Sequence, residues 1–230
     1  MSVAEGLAEV RERIARAARA AGRDVSTVHL IAVSKTKPAA AIREAYALGQ
    51  RDFGENYAQE LMQKAEELAD LADLRWHFVG HLQSNKARVV ARAAHVVHTV
   101  DGPSLARELG KRAAAEGRGG SGAREPLPVL VEINVGGEAQ KHGASAPDLG
   151  AVLAAVDAEP SLVLRGLMTM PPNDLDAARS AFESLASLRT AHGGPARLPE
   201  LSMGMSDDLE IAVACGATLV RVGTAIFGSR

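Results

Sequence analysis

A chain of 230 residues, 47% hydrophobic and 23% charged, has the make-up of a globular protein and the length to bury a substantial core. Its 26 basic and 28 acidic residues leave a formal charge of −2, which gives no general attraction to nucleic acid or to anionic lipid. The lone Cys215 cannot form an internal disulfide, no run approaches the ~18 apolar residues of a membrane span, and residues 1–23 lack the apolar core of a signal peptide, so a cytoplasmic protein is expected.

Leu7, Val10, Ile14 and Ala18 recur at helical spacing among Arg and Glu, which predicts an amphipathic helix ended by Gly22 and Asp24. The β-branched run 28–34 is the first strand; it stops at Lys35, and Pro38 opens a helix through Ile42, Ala45 and Leu48. A short strand at 51–53 runs into Gly54-Glu55-Asn56, and the next helix carries Leu61, Ala65, Leu68 and Leu71. The third strand, 75–80, leads through His81 to Ser84, a cap for the helix with Ala87, Val90 and Ala91. Residues 95–100 form a strand and 105–116 a helix. The stretch 117–128 has the Gly, Arg, Ser and Pro content of a mobile surface loop. It is not a domain linker, because strand–helix alternation resumes unchanged beyond it.

The fifth and sixth strands are 129–135 and 162–170, with a helix at 148–157 between them. Asp174 or Asp176 begins a helix through Phe182, Leu185 and Leu188. The seventh strand is 198–202; Ser206, Asp207 and Asp208 supply a cap and an acidic first turn, and 218–223 is the eighth strand. Strict alternation predicts a parallel sheet with right-handed crossovers. Eight units in one domain-length chain predict a single (β/α)8 TIM barrel over 1–230, its amino-terminal helix beside the last strand in the eighth helical place. The alternative, an open doubly wound sheet, lacks its glycine fingerprint: the first turn here is Ser34-Lys35-Thr36-Lys37-Pro38.

In such a barrel the working residues follow the strands. They are Lys35, Asn56, His81, Asn134, Met168, Ser202, Arg221 and Gly223. Apolar surroundings disfavour an ammonium over the neutral amine, and a neutral lysine amine is a nucleophile toward aldehydes. An anion fits at Gly223-Thr224, where backbone N–H groups open the terminal turn, helped by the Ser202 hydroxyl; Asp207 and Asp208 would repel it from the preceding helix. Arg221 shares a strand face with Gly223 and can meet a phosphate, a ring nitrogen or a barrel carboxylate such as Glu132. His77 and His81 have no cysteine or carboxylate at metal spacing, so no metal site is expected. Cys215 lies on a helix away from the mouth, no P-loop or nucleophile elbow occurs, and the basic residues of 11–19 are a solvated helix face.

Six blocks in order carry a resemblance. They are Ala32-Val33-Ser34-Lys35-Thr36-Lys37-Pro38, Phe53-Gly54-Glu55-Asn56-Tyr57, residues 76–86, Gly166-Leu167-Met168, residues 201–208 and residues 220–228. Together they resemble the pyridoxal phosphate homeostasis proteins, the YggS/PROSC family, from about residue 28 onward, with the glycine-rich stretch after Gly117 left uncovered. The resemblance implies a barrel of the alanine-racemase N-terminal-domain type (fold type III). It implies pyridoxal 5′-phosphate (PLP) held as a Schiff base on Lys35, with Asn56 and Met168 against the cofactor. Arg221 would face the pyridine nitrogen, and Ser202, Gly223 and Thr224 would hold the phosphate. An arginine there leaves the ring nitrogen unprotonated and the ring a poor electron sink. Racemases of this fold add a carboxyl-terminal β domain and a tyrosine from a partner subunit, whereas this chain stops at Arg230, with Tyr57 the remaining candidate second base. The implied function is intracellular PLP homeostasis without robust turnover; a low-activity amino-acid racemase is the alternative. A monomer is expected, with PLP-dependent apo-enzymes as candidate partners, and no nucleic acid or membrane.

Overall fold

The computed structural model describes residues 2–120, 122–138 and 142–228; Ser121 of the glycine-rich stretch and the chain end at Arg230 lie outside them. The first half runs α1 (Val3–Ala20), β1 (His29–Val33), α2 (Ala39–Ala47), β2 (Asp52–Glu55), α3 (Ala58–Glu67), β3 (Arg75–Phe78), α4 (Ala87–Ala93) and β4 (Val96–Val100). The second runs α5 (Pro103–Ala115), β5 (Leu127–Glu132), α6 (Leu149–Asp157), β6 (Leu162–Met168), α7 (Leu175–Ala191), α8 (Gly194–Arg197), β7 (Glu200–Ser202), α9 (Leu209–Ala214), β8 (Leu219–Val222) and α10 (Thr224–Phe227). The strands form a closed barrel in chain order, β8 pairing in parallel with β1 through Leu30↔Val220 and Ile31↔Arg221. The predicted (β/α)8 barrel is therefore the observed one. Helix α1 packs against α2, α9 and α10, in the helical place predicted for it. Its Gly6 sits where a Cβ would come 2.5 Å from the Ala225 carbonyl, so only glycine allows the two helices this close.

Strand alternation sorts the side chains into two groups. Phe53, Trp76, Phe78, Leu201, Val220 and Val222 point outward into the core shared with the helices. Ile31, Val96, Leu130, Met168 and Leu219 form a small apolar cluster inside the barrel. Much of the remaining interior is polar: His77, His98, Glu132, Ser202 and Arg221 are each 5% exposed or less. That departs from the branched aliphatic layers that usually fill such a barrel.

Several local expectations change. Strand β2 extends to Glu55, and β5 begins at Leu127, inside the stretch read as loop, because 127–129 pair with 162–164 of β6. That stretch is also anchored: Arg118 is buried and donates to the carbonyls of Ala91 (3.1 Å) and Ala94 (2.5 Å), at the end of α4. Ser84 does not cap α4. It starts a 3-10 turn, and the N-cap residue Lys86 makes no side-chain cap bond. Asp174, rather than Asp176, caps α7. Asp208 precedes α9 but accepts from the Met205 N–H at 2.5 Å, bracing its own turn and not the helix. No helix of the described residues is long and apolar enough to cross a membrane.

Candidate functional site

The carboxyl ends of β1, β2, β3, β6, β7 and β8 open onto one cavity of about 540 Å³, the size of a small-ligand pocket. Lys35, Asn56, Arg221, Gly223 and Thr224 all line it. The fold thus brings together residues that are up to 189 positions apart in sequence (Lys35 to Thr224, 224 minus 35). Met168 and Ser202 are not among its lining residues. Met168 lies in the interior apolar cluster, and Met170, two residues on, takes the lining position.

The turn that carries Lys35 is held from below. Ser34 donates to Glu55 Oε1 at 2.6 Å, and the Lys64 ammonium of α3 donates to Glu55, to Glu60 and to the Ser34 carbonyl, each at 2.7 Å. Glu60 also accepts from the Thr36 N–H at 2.6 Å. Thr36 has φ 63°, the one non-glycine residue at positive φ among those described. A β-branched residue there stores strain of about 1–3 kcal/mol, which the surrounding bonds must outweigh. Burial pushes the Glu55 carboxyl up, while the bonds from Lys64 and Ser34 pull the other way. Lys64 is therefore occupied as a structural cation. By contrast, among the described residues no hydrogen bond or ion pair ties down the amine of Lys35.

Arg221 forms the floor. Its guanidinium donates to Ser202 Oγ at 2.6 Å, to the Thr169 carbonyl at 3.0 Å and to Met170 Sδ at 3.2 Å. Burial pulls it down to about 10 while Glu132 and Asp208 hold it up, so it stays charged at neutral pH. Glu132 faces it without forming a direct ion pair; burial and the charge of Asp101 push that carboxyl up to about 7, with Arg221 opposing. Ser202 is fully buried between Arg221 and His98 Nδ1 at 2.8 Å, which places its hydroxyl below the pocket and not at the anion position assigned to it from sequence. At the rim, a Cβ on Gly223 would come 2.9 Å from the Val33 carbonyl, so glycine is what lets β8 turn beside the Lys35 turn. Asn56 Oδ1 is buried with no partner, an acceptor left for a ligand.

Ser206 and Arg13 are lining residues to which the sequence gives other roles. Ser206, read as a helix cap, faces the cavity, and Arg13 of α1, read as part of a solvated face, lines it as well. Arg13 donates to the Ser206 carbonyl at 2.8 Å and pairs with Glu210 at 2.7 Å, tying the amino-terminal helix to the β7 turn. No helical periodicity marks Arg13 for this; the signal is only that a helix filling the eighth place must pass the mouth. Tyr57 is 51% exposed and outside the cavity lining. His81 is likewise outside it, beside Asp101 and His142, their ligand atoms within 4.8 Å of one another. The two rings stack with centroids 3.5 Å apart and planes 9° apart, so their in-plane lone pairs lie in two separate, nearly parallel planes.

The family model described as alanine racemase, N-terminal domain, matches residues 6–230. The pyridoxal phosphate homeostasis protein of Pseudomonas aeruginosa is 50% identical over 231 residues, covering 100% of this chain and 96% of that protein. This chain belongs to the pyridoxal phosphate homeostasis protein family. The Escherichia coli K12 member is 44% identical over 99% of this chain and 97% of its own. A solved structure, that of PipY of Synechococcus elongatus with PLP bound, superposes with TM-score 0.81 at 40% identity, covering 99% of this chain and 100% of that one. Alanine racemase from Corynebacterium glutamicum (TM-score 0.66, 18% identical, 96% of this chain and 61% of that one) shares the fold alone.

Proposed function

We propose that this family member binds PLP at the barrel mouth, captures it on Lys35 and serves intracellular PLP homeostasis without robust catalytic turnover. The observation that carries the reading is an untethered lysine amine in a 540 Å³ cavity that also presents a fixed guanidinium, an unpartnered amide oxygen and hydroxyl groups. When bound, PLP supplies an aldehyde that an amine can hold covalently. The residues fit it. Lys35 offers the amine, Asn56 an acceptor for the ring substituents, and Arg221 a charge-bearing donor toward the ring nitrogen. Ser206, Gly223 and Thr224 offer donors for the phosphate. Arg221 does not release its proton at neutral pH, so the group it faces stays an acceptor.

The same arrangement argues for holding the cofactor and not for racemisation. Moving a proton between the two faces of a carbon needs an acid–base group on each side. Lys35 can serve one, and Tyr57 is outside the lining. We further read the protein as a cytoplasmic monomer that releases PLP to apo-enzymes; faster activation of an apo-enzyme by the loaded protein than by PLP released into buffer tests that step. The binding reading is tested by titrating PLP into wild-type protein and Lys35→Ala. Wild type should gain a visible absorbance band at one equivalent and Lys35→Ala should not; equal spectra overturn it.

A further inference from the structure

A line of buried polar groups crosses the barrel from β2 to β8. Asp52 Oδ1 meets His77 Nε2 at 2.9 Å; His77 Nδ1 meets His98 Nε2 at 2.9 Å; His98 Nδ1 meets Ser202 Oγ at 2.8 Å; and Ser202 Oγ meets Arg221 Nη1 at 2.6 Å. Its interior members are nearly sealed: His77 is 4% exposed, His98 and Ser202 are 0% and Arg221 is 4%. Asp52, at the start of β2, is half-buried at the opposite end of the barrel from the cavity.

The protons in this line can be placed by elimination. A guanidinium only donates, so Ser202 Oγ accepts from Arg221. Among the described residues His98 Nδ1 is the one other partner of that oxygen, so the hydroxyl hydrogen goes there. His98 Nδ1 is then an acceptor and its proton sits on Nε2, donated to His77 Nδ1. His77 in turn carries its proton on Nε2, donated to the Asp52 carboxylate. Every group is satisfied, both imidazoles are neutral, and all four bonds point one way, from Arg221 to Asp52. Burial holds His98 well below the ordinary histidine range, in keeping with the neutral form. For Asp52 burial works against the charge, but the hydrogen bond from His77 and the nearby Arg75 keep the carboxyl below its usual value.

We infer that Asp52, His77, His98 and Ser202 are positioning residues for Arg221: a one-directional hydrogen-bonded chain that fixes the guanidinium at the pocket floor from the far face of the barrel. Ser202 spends its hydroxyl proton on His98, which leaves Ser206, beside Thr224, as the hydroxyl of the β7 turn for an anion at the rim. The placement of Arg221 as a ligand contact rests on the PLP reading above; the direction of the chain does not. A buried half-satisfied network would be worse than an apolar core, so a chain complete at every atom is built for a specific geometry.

The chain is tested on ligand-free, 15N-labelled full-length protein at neutral pH by long-range proton–nitrogen correlation at the histidine rings. Both His77 and His98 should appear as neutral Nε2–H tautomers. An Nδ1–H tautomer or an imidazolium at either ring in wild-type protein overturns the proposal, and that measurement needs no variant to fold. In Ser202→Ala, His98 Nδ1 loses its donor, and its nitrogen signal should shift toward that of an unbonded acceptor while His98, still donating to His77, keeps the Nε2–H tautomer. An unmoved signal overturns the chain. Inorganic phosphate is the second probe: its affinity should fall about tenfold in Ser206→Ala, at least fivefold further than in Ser202→Ala, and the reverse order overturns the assignment of the hydroxyls. A failure of PLP to bind at all would overturn the pocket reading and leave the tautomer result intact.

Discussion

Replacing Glu132 by Gln should make the protein more stable at alkaline pH and leave it unchanged in acid. Glu132 is 5% exposed, one of its oxygens has no partner, and its carboxyl is pushed from the ordinary 4.5 to about 7 by burial and by Asp101. A tenfold change in proton affinity corresponds to about 1.36 kcal/mol, so the ionised form costs about 3 kcal/mol relative to the protonated one. The sign follows from linkage. The folded pKa lies above the unfolded one, so the native state holds this proton more tightly. The corresponding stability is complete below about 4.5 and is lost as pH rises through about 7. Gln copies the protonated shape at every pH. Urea unfolding of ligand-free protein should therefore give Glu132→Gln an advantage of about 3 kcal/mol at pH 8 and almost none at pH 4. A constant difference across that range, or a less stable variant at pH 8, would refute the reasoning.

Lys64→Ala strands the fully buried Glu55 without its cation and should cost about 3–5 kcal/mol at neutral pH in the same unfolding assay, the loss shrinking in acid as Glu55 takes up a proton. Gly223→Ala drives a Cβ against the Val33 carbonyl; it should lower PLP affinity at least tenfold and stability by about 1–3 kcal/mol, read by absorbance titration and by melting. Arg13→Ala frees the Ser206 carbonyl and should weaken PLP binding several-fold while Lys35 remains labelled, which peptide mapping after reduction would show.

The barrel was legible because its signal repeats. Eight short apolar runs separated by helical periodicity admit few parallel topologies, and the glycine-free first turn at Ser34–Lys37 removes the main rival. The pocket was legible at strand ends, where position in the barrel predicts exposure to the mouth: Lys35, Asn56, Arg221, Gly223 and Thr224 follow from that rule. Ser202 and Ser206 were harder, because they are four residues apart around one short strand and turn. Alternation sends Ser202 inward to Arg221, but where β7 stops decides which hydroxyl reaches the cavity, and strand ends are the least readable part of a sequence. Arg13 and the buried line from Asp52 to Arg221 depend on side chains from distant elements meeting across the barrel. No local spacing encodes such contacts. The same holds for Arg118, whose glycine-rich neighbourhood reads as mobile until its guanidinium is seen on the Ala91 and Ala94 carbonyls.

The most direct measurement of the central claim is the site of attachment. Purified protein mixed with one equivalent of PLP, reduced with borohydride and digested should carry a single pyridoxyl group, on the peptide containing Lys35. A label found instead on Lys37 or Lys64, or no label on well-folded protein, would contradict it.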